Sequence, residues 1–353
     1  MKLEHEIKLD FNDVLFRPKR SILNSRSEVD VVREFTFKFS RRKWSGVPII
    51  SSNMDTISSI EMFKSLSKNR CITCFHKFIN LKELIECFQE ENGLIEGAEE
   101  YFALSTGLTN RDYEKIVSQV EELRKSNIEV RFICIDVANG YMFKLVDFCK
   151  KMRDTFPDIT LIAGNVVSRE ITEELVINGG IDIIKVGIGS GAVCTTRLQT
   201  GVGMPQFSAV MECADAAHGL GAMIISDGGI CHPGDVSKAY GGGADFVMVG
   251  SILAGHEECP GNIVEEDGKK YKLFYGMSSD TAMNKHHGGV ASYRSSEGKT
   301  VKVPFKGEVQ NTINNILGGV RSTCTYIGAS RLKDIHKCAT FIRVNRIVNN
   351  FYK

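Results

Sequence analysis

The sequence has almost no net charge. Its 44 Lys and Arg face 43 Asp and Glu along 353 residues, so its overall balance favours neither nucleic acid nor an anionic membrane as a general partner. Any phosphate must therefore be bound locally. No run approaches the roughly 18 apolar residues that a membrane span needs, and the opening MKLEHEIKLD is too charged for a secretory leader. A soluble, cytoplasmic protein is expected. Low-complexity tracts are missing, and CxxC spacing occurs once, as CITC (71–74), with no second pair to complete a zinc site. On a strand those two cysteines point to opposite faces, which disfavours a dithiol or metal role. The eleven cysteines are an odd number and sit mostly in apolar runs such as RFICIDVA (131–138), as reduced thiols acting as small hydrophobes would. No disulfide is expected.

What the chain does contain is alternation. Eight short β-branched or apolar runs recur: VPIISS (47–52), CITCF (71–75), YFALST (101–106), RFICID (131–136), TLIAGN (160–165), IDIIKV (181–186), AMIISD (222–227) and ADFVMV (244–249). Helix-patterned text separates them, as in REITEELVINGG (169–180), where Ile171, Leu175 and Val176 share a face and glycines supply the stop. Strand and helix repeated eight times predict an α/β protein built as a (β/α)8 TIM barrel. An open dinucleotide-binding sheet would want GxGxxG after its first strand, and SNMDT stands there instead.

Six of the runs lead into polar or glycine-rich text (SSNMD, FHK, STG, DVANG, GNVV, SDGG), placing candidate active-site loops at the carboxyl ends of the strands. From 256 to 307 the pattern lapses. DGKKYKLFYG reads as a small hairpin and the whole stretch as a flap inserted after the eighth strand of a single 1–353 domain, a lid over the site. NTINNILGGVRSTCTYIGAS (311–330) resumes as the last barrel helix. Lys285, His286 and His287 lie in the flap without a carboxylate at ligand spacing and read as solvated.

GIGSGAVCTTR (187–197) carries the sharpest chemical signal. A cysteine on a glycine-built loop at a strand end, with Arg197 near it, suits a nucleophile whose thiol pKa is lowered; the alternative is a structural cysteine beside a glycine turn. The loop's low side-chain bulk also lets its carbonyls converge on a monovalent cation. SDGGI (226–230) and VGS (249–251) follow the seventh and eighth strands, where barrels commonly hold phosphate on backbone amides. Asp227 suits a ribose diol, or simply a turn.

Together these segments resemble the inosine monophosphate dehydrogenase and guanosine monophosphate reductase superfamily. The resemblance runs through FNDVLFRPKRS, SGVPIISSNMDT, FHK, CIDVANGY, AGNVV, KVGIGSGAVCTTR, GVGMPQ, SDGGI, GGGADFVMVGS, YGMSS, YRSSEGKTV and GGVRSTCTYIGA. Dehydrogenases of that family usually insert a nucleotide-sensing domain after the second strand; CITCF and YFALST leave no room for one, and YRSSEGKT and CIDVANGY are similar to the reductase branch. What the resemblance implies is NADPH-dependent, irreversible reductive deamination of GMP to IMP and ammonia, serving purine nucleotide interconversion. Cys194 would attack purine C2 to give a thioimidate, with Thr196 and Glu297 as the proton relay for departing ammonia.

By the same resemblance GMP would touch Asp227, Gly228, Gly229, Gly250, Ser251, Gly276, Met277, Ser278, Arg294, Ser295, Ser296, Glu297 and Gly298. NADPH would touch Lys77, Asp136, Val137, Ala138, Ile188, Gly189, Met277, Tyr293, Arg294, Ser322, Thr323, Cys324 and Thr325, with Ser25 and Arg26 reaching in from a neighbouring subunit. Gly189, Gly191, Cys194 and Arg197 resemble potassium-binding positions, although Ser190 and Ala192 depart from that loop's usual proline and serine. The family also implies a homotetramer.

Overall fold

The computed structural model describes residues 3–90, 94–289 and 295–345. Eight parallel strands close into one barrel: β1 (Ile49–Ser51), β2 (Ile72–Cys74), β3 (Phe102–Thr106), β4 (Phe132–Asp136), β5 (Thr160–Val166), β6 (Ile183–Val186), β7 (Met223–Asp227) and β8 (Phe246–Val249). Each lies within a residue or two of a run expected to be a strand. β8 returns to β1 with Val247 opposite Ile49 and Met248 opposite Ile50, so the sheet has no free edge. The runs are nearly continuous apolar text because both faces are covered: residues inside the barrel pack on one another, and those outside meet helices.

The covering helices follow their amphipathic spacing. Ile60–Lys68 starts where the Ser59 hydroxyl accepts the Met62 N–H, and it buries Met62, Phe63 and Leu66, each worth about 1.5–3 kcal/mol relative to exposure. Arg169–Ile177 buries Ile171, Leu175 and Val176 as its pattern predicts. Val309–Ile327 is the final barrel helix. Among the described residues no helix is long and apolar enough to cross a membrane, and all eleven cysteines are unbridged.

The amino-terminal end of the barrel is plugged. An antiparallel pair, Arg33–Thr36 with Lys43–Gly46, carries Phe35 against Phe246 (ring centroids 4.6 Å apart), Phe37 edge-on to Phe132 (5.6 Å) and Trp44 against Phe246 (5.4 Å). Phe132 and Phe246 are the first residues of β4 and β8, so the plug seals the bottom. The opposite mouth is left for chemistry.

The described residues between 256 and 307 form more secondary structure than their sequence suggests. The expected hairpin forms, as β9 (Val264–Glu266) and β10 (Lys269–Tyr275), and a third strand, β11 (Thr300–Pro304), pairs with β10. Buried Lys272 ties the sheet down by donating to the Glu257 and Cys259 carbonyls at 3.0 and 2.6 Å. An unexpected helix, Asp280–His287, starts at the Ser279 hydroxyl, which accepts the Ala282 N–H. Ala282 and Met283 are its buried apolar residues, too few to make a visible stripe.

Candidate active site

The loop after β6 is shaped by its glycines. Gly187 has φ +149°, and a Cβ there would lie 2.0 Å from the Asp227 carbonyl oxygen; at Gly228 (φ +96°) it would meet the Ser190 hydroxyl at 2.4 Å. Only glycine lets the β6 and β7 ends approach this closely. The Ser190 hydroxyl donates to the Asp227 carbonyl at 3.1 Å, fastening the two loops where the family resemblance led us to expect a proline.

The loop presents Cys194, half-buried, with its thiol donating to Thr196 Oγ1 at 3.2 Å. The Thr196 hydroxyl in turn donates to Glu297 Oε2 at 2.6 Å. Glu297 comes from far along the chain and is held by backbone on both sides: its N–H donates to Ser278 O (3.2 Å), and its carbonyl accepts the Thr195 N–H (2.9 Å). A nucleophile, a hydroxyl and a carboxylate thus stand in one hydrogen-bonded line, which is what a proton relay beside a covalent centre requires.

A cavity of about 230 Å³ opens in front of Cys194; its lining includes Asp136, Ala138, Ile188, Gly189, Gly191, Gly276, Met277, Ser278 and Glu297. A smaller one of about 70 Å³ shares Ser52, Met54, Gly191, Val193 and Asp227 with it, and continues to Ala192, Gly228, Gly229, Gly250 and Ser251. Gly298 is not in either lining but pairs with Cys194 and Ser279. The Ser295 hydroxyl reaches Gln199 and that of Ser296 the Gly298 carbonyl. Tyr293 and Arg294 lie outside the described residues.

Other candidates are placed elsewhere. Val137 pairs through its backbone with Gly164, and Lys77 stands 3.6 Å from Asp112. Ser322, Thr323, Cys324 and Thr325 are on the last barrel helix, which packs on the turn bearing Ser25 and Arg26. None of these six lines the two cavities; Cys324 is fully buried, and Thr323 bonds to Ser237. Arg197 corrects the expectation that it attends the thiol. Its guanidinium turns away to Asp10 Oδ2 (3.0 Å) and the Met204 carbonyl (2.8 Å).

Of the polar floor of the cavity, sequence reasoning found Asp136 and Asp227 but missed Lys185 and Asn165. Buried Lys185 sits 2.8 Å from Asp136 Oδ1, 2.7 Å from Asp227 Oδ2 and 2.9 Å from Asn165 Oδ1, and Asn165 donates to Asp227 Oδ2 at 2.8 Å. The available signal was the one lysine inside the apolar run IDIIKV. Burial would strip its proton, but the charges of Asp136 and Asp227 hold its pKa well above the ordinary lysine value. Burial likewise disfavours the charge of Asp136, yet Lys185 keeps its carboxyl below the usual range.

Lys185→Met should therefore cost about 2–3 kcal/mol near neutral pH, less than the ~3–5 kcal/mol of a fully buried broken pair, because the Asp136 side chain keeps 36% exposure. The sign follows from the two shifts. The lysine's contribution is complete below its unfolded pKa, about 10.4, and fades as pH rises through the raised value; that of Asp136 is complete above about 3.9 and fades as pH falls through the lowered one. Urea midpoints measured across pH should separate wild type and variant most between those limits.

A second correction concerns His286; Lys285, although paired, stays more than half exposed as expected. His286 is not solvated: its Nε2 lies 2.6 Å from buried Asp55 Oδ2, and its ring stacks on Phe78 at 4.0 Å. Lys285 Nζ lies 3.0 Å from the same oxygen. The side chain of His287 is outside the described set.

Comparison with known proteins places the chain in a family. Residues 8–348 match the family described as IMP dehydrogenase / GMP reductase domain. GMP reductase 2 of Homo sapiens is 56% identical over 350 residues, covering 99% of this chain and 98% of the relative. GMP reductase of Klebsiella pneumoniae is 55% identical over 354 residues (99% and 100%), and that of Aliivibrio fischeri 54% over 353 (100% and 99%). With the match running almost end to end across a closed barrel, the chain belongs to the IMP dehydrogenase / GMP reductase family.

Proposed function

We propose that this chain reduces GMP with NADPH to IMP, ammonium and NADP+. The observation that carries the reading is the Cys194–Thr196–Glu297 line, at the join of a cavity sized for a purine and a small glycine-rich recess suited to phosphate. Asp227, which lines both, would accept the ribose hydroxyls. Purine C2 bearing an amino group is a poor hydride acceptor. Cys194 Sγ forms a bond to C2 as the thiol's proton moves through Thr196 to the Glu297 carboxylate, and the same relay returns that proton to the amino nitrogen, so that the C–N bond breaks and ammonia departs. A thioimidate on Cys194 remains.

NADPH, when bound, supplies the hydride that reduces C2. The C–S bond then breaks and the cysteine is regenerated. Asp136, Ala138, Ile188 and Gly189 form cavity wall not shared with the phosphate recess, and they would hold the nicotinamide end. The helix carrying Ser322–Thr325 packs on the turn bearing Arg26, and in a homotetramer these residues would serve the cofactor of a neighbouring subunit. Potassium suits the glycine loop because its donors there would be neutral backbone oxygens, with Gly189, Gly191, Cys194 and Arg197 contributing. Residues 256–307 act as a lid, in a single-domain cytoplasmic enzyme.

The test is a turnover assay. GMP with NADPH should consume reduced nicotinamide and release ammonia. IMP with NAD+ yielding XMP would establish the dehydrogenase instead, and GMP binding without turnover a nucleotide sensor.

A further inference from the structure

We propose that Asp55 is a positioning residue: it latches residues 275–287 to the barrel and so keeps Glu297 in line with Thr196 and Cys194. The catalytic arm of this inference rests on the function proposed above; its structural arm does not.

Asp55 follows β1 in the SSNMDT loop, with its side chain 2% exposed. Three donors converge on Oδ2: His286 Nε2 at 2.6 Å, Lys285 Nζ at 3.0 Å and the Tyr275 hydroxyl at 3.1 Å. The Asp55 N–H also lies 3.4 Å from Met277 Sδ. All four partners belong to the inserted segment. The other carboxylate oxygen, Oδ1, is buried with no hydrogen-bond partner among the described residues, so the described side-chain bonds all fall on one atom. Phe78, in the loop after β2, adds its ring face to His286 with an interplanar angle of 3°.

Asp55 makes no hydrogen bond with Cys194, Thr196 or Glu297; it acts through the chain between its partners. Tyr275 ends β10, and His286 lies near the end of the helix Asp280–His287. Between these clamped points run Met277 and Ser278, which line the cavity. Ser278 O receives the Glu297 N–H, while Ser279 pairs with Gly298. Holding both flanks fixes the backbone from which the Glu297 carboxylate meets Thr196. A proton relay tolerates little displacement of this kind.

The charges around the latch favour its closed form. Burial works against ionised Asp55, but the bonds from His286 and Lys285 outweigh it and keep its carboxyl below the usual range. Burial also pushes nearby His76 down to about 4, so it is neutral at pH 7 and adds no competing cation. Lifting the segment breaks all of the contacts on Oδ2 together, so the latch behaves as a unit rather than as separate bonds.

The experiment compares Asp55→Asn, which keeps the shape but not the charge, with His286→Phe, which keeps a ring on Phe78 but not the bond, and with the double variant. In the ligand-free protein each single change should speed amide exchange across 275–287 about tenfold or more, with the barrel strands unchanged. Each should lower kcat for GMP about tenfold while KM for GMP moves less than about threefold, because the phosphate recess, Phe274 aside, is lined by barrel residues. The double variant should be little worse than either single one, since both break one unit.

Wild-type exchange in both single variants would overturn the latch. So would kcat losses that multiply in the double variant, or a rise in KM without loss of kcat. If Asp55→Asn does not fold, His286→Phe decides on exchange and on the split between kcat and KM. If the wild type reduces no GMP, the proposed function fails, and exchange alone still decides whether Asp55 holds the segment down.

Discussion

Cys194→Ala is expected to abolish GMP reduction, by about 10³-fold or more, while GMP binding stays largely intact. Without a thiol at C2 no thioimidate forms, and ammonia departure has no covalent intermediate to produce. On the proposed reading, binding draws instead on the recess lined by Gly229, Ser251 and Asp227, which the substitution leaves in place. Calorimetry or nucleotide-induced fluorescence on the variant measures the second half of the expectation. Alkylation of the wild type supplies a check. Burial pushes Cys71, Cys213 and Cys324 up to about 12 and Cys259 to about 11, so these thiols should label slowly. Cys231 is exposed and will compete for reagent, although desolvation and Asp235 raise its pKa. Cys194 is the site that GMP should protect; labelling of Cys194 at an unchanged rate with GMP bound would refute its place at the purine.

Glu297→Gln is the second large effect, and it divides the reaction in two. The amide can still accept the Thr196 hydrogen bond but has no proton to pass on. GMP reduction should fall by about 10²-fold or more, the worth of a positioned general acid. Hydride transfer needs alignment and the cysteine rather than the relay. Given IMP and NADP+, the variant should still run that step in reverse, forming about one equivalent of reduced nicotinamide as a fast absorbance burst and a covalent mass increase on Cys194. A variant that binds IMP yet loses the burst as completely as it loses GMP reduction would show that Glu297 serves both steps.

The barrel was legible because its strands are covered on both faces, which writes each as a short apolar run, and because glycines mark the exits. The same logic hid Lys185. A lysine inside IDIIKV pairs with carboxylates on neighbouring strands, and strand periodicity carries no information about such partners. Thr196 beside Cys194 follows from local spacing. Glu297 joins them across a hundred intervening positions and was identified through family resemblance rather than from spacing. Arg197 was misjudged because its partner, Asp10, is delivered by the amino-terminal turn. His286 reads as solvated for a similar reason: Asp55, the carboxylate its ring nitrogen meets, stands at the exit of the first barrel strand.

The aromatic plug bears on how the chain is made. Phe35 and Trp44 emerge early from the ribosome, but Phe246, against which both pack, belongs to the last barrel strand, and β1 cannot close on β8 before that strand exists. For most of synthesis the nascent chain therefore carries an uncovered aromatic surface and an unclosed sheet edge, the combination most prone to misassociation. Contacts this distant along the chain also make closure slow. Chains arrested short of Phe246 should accordingly remain bound to holdase chaperones, and the aromatic surface should be withdrawn from solvent only when the eighth strand arrives.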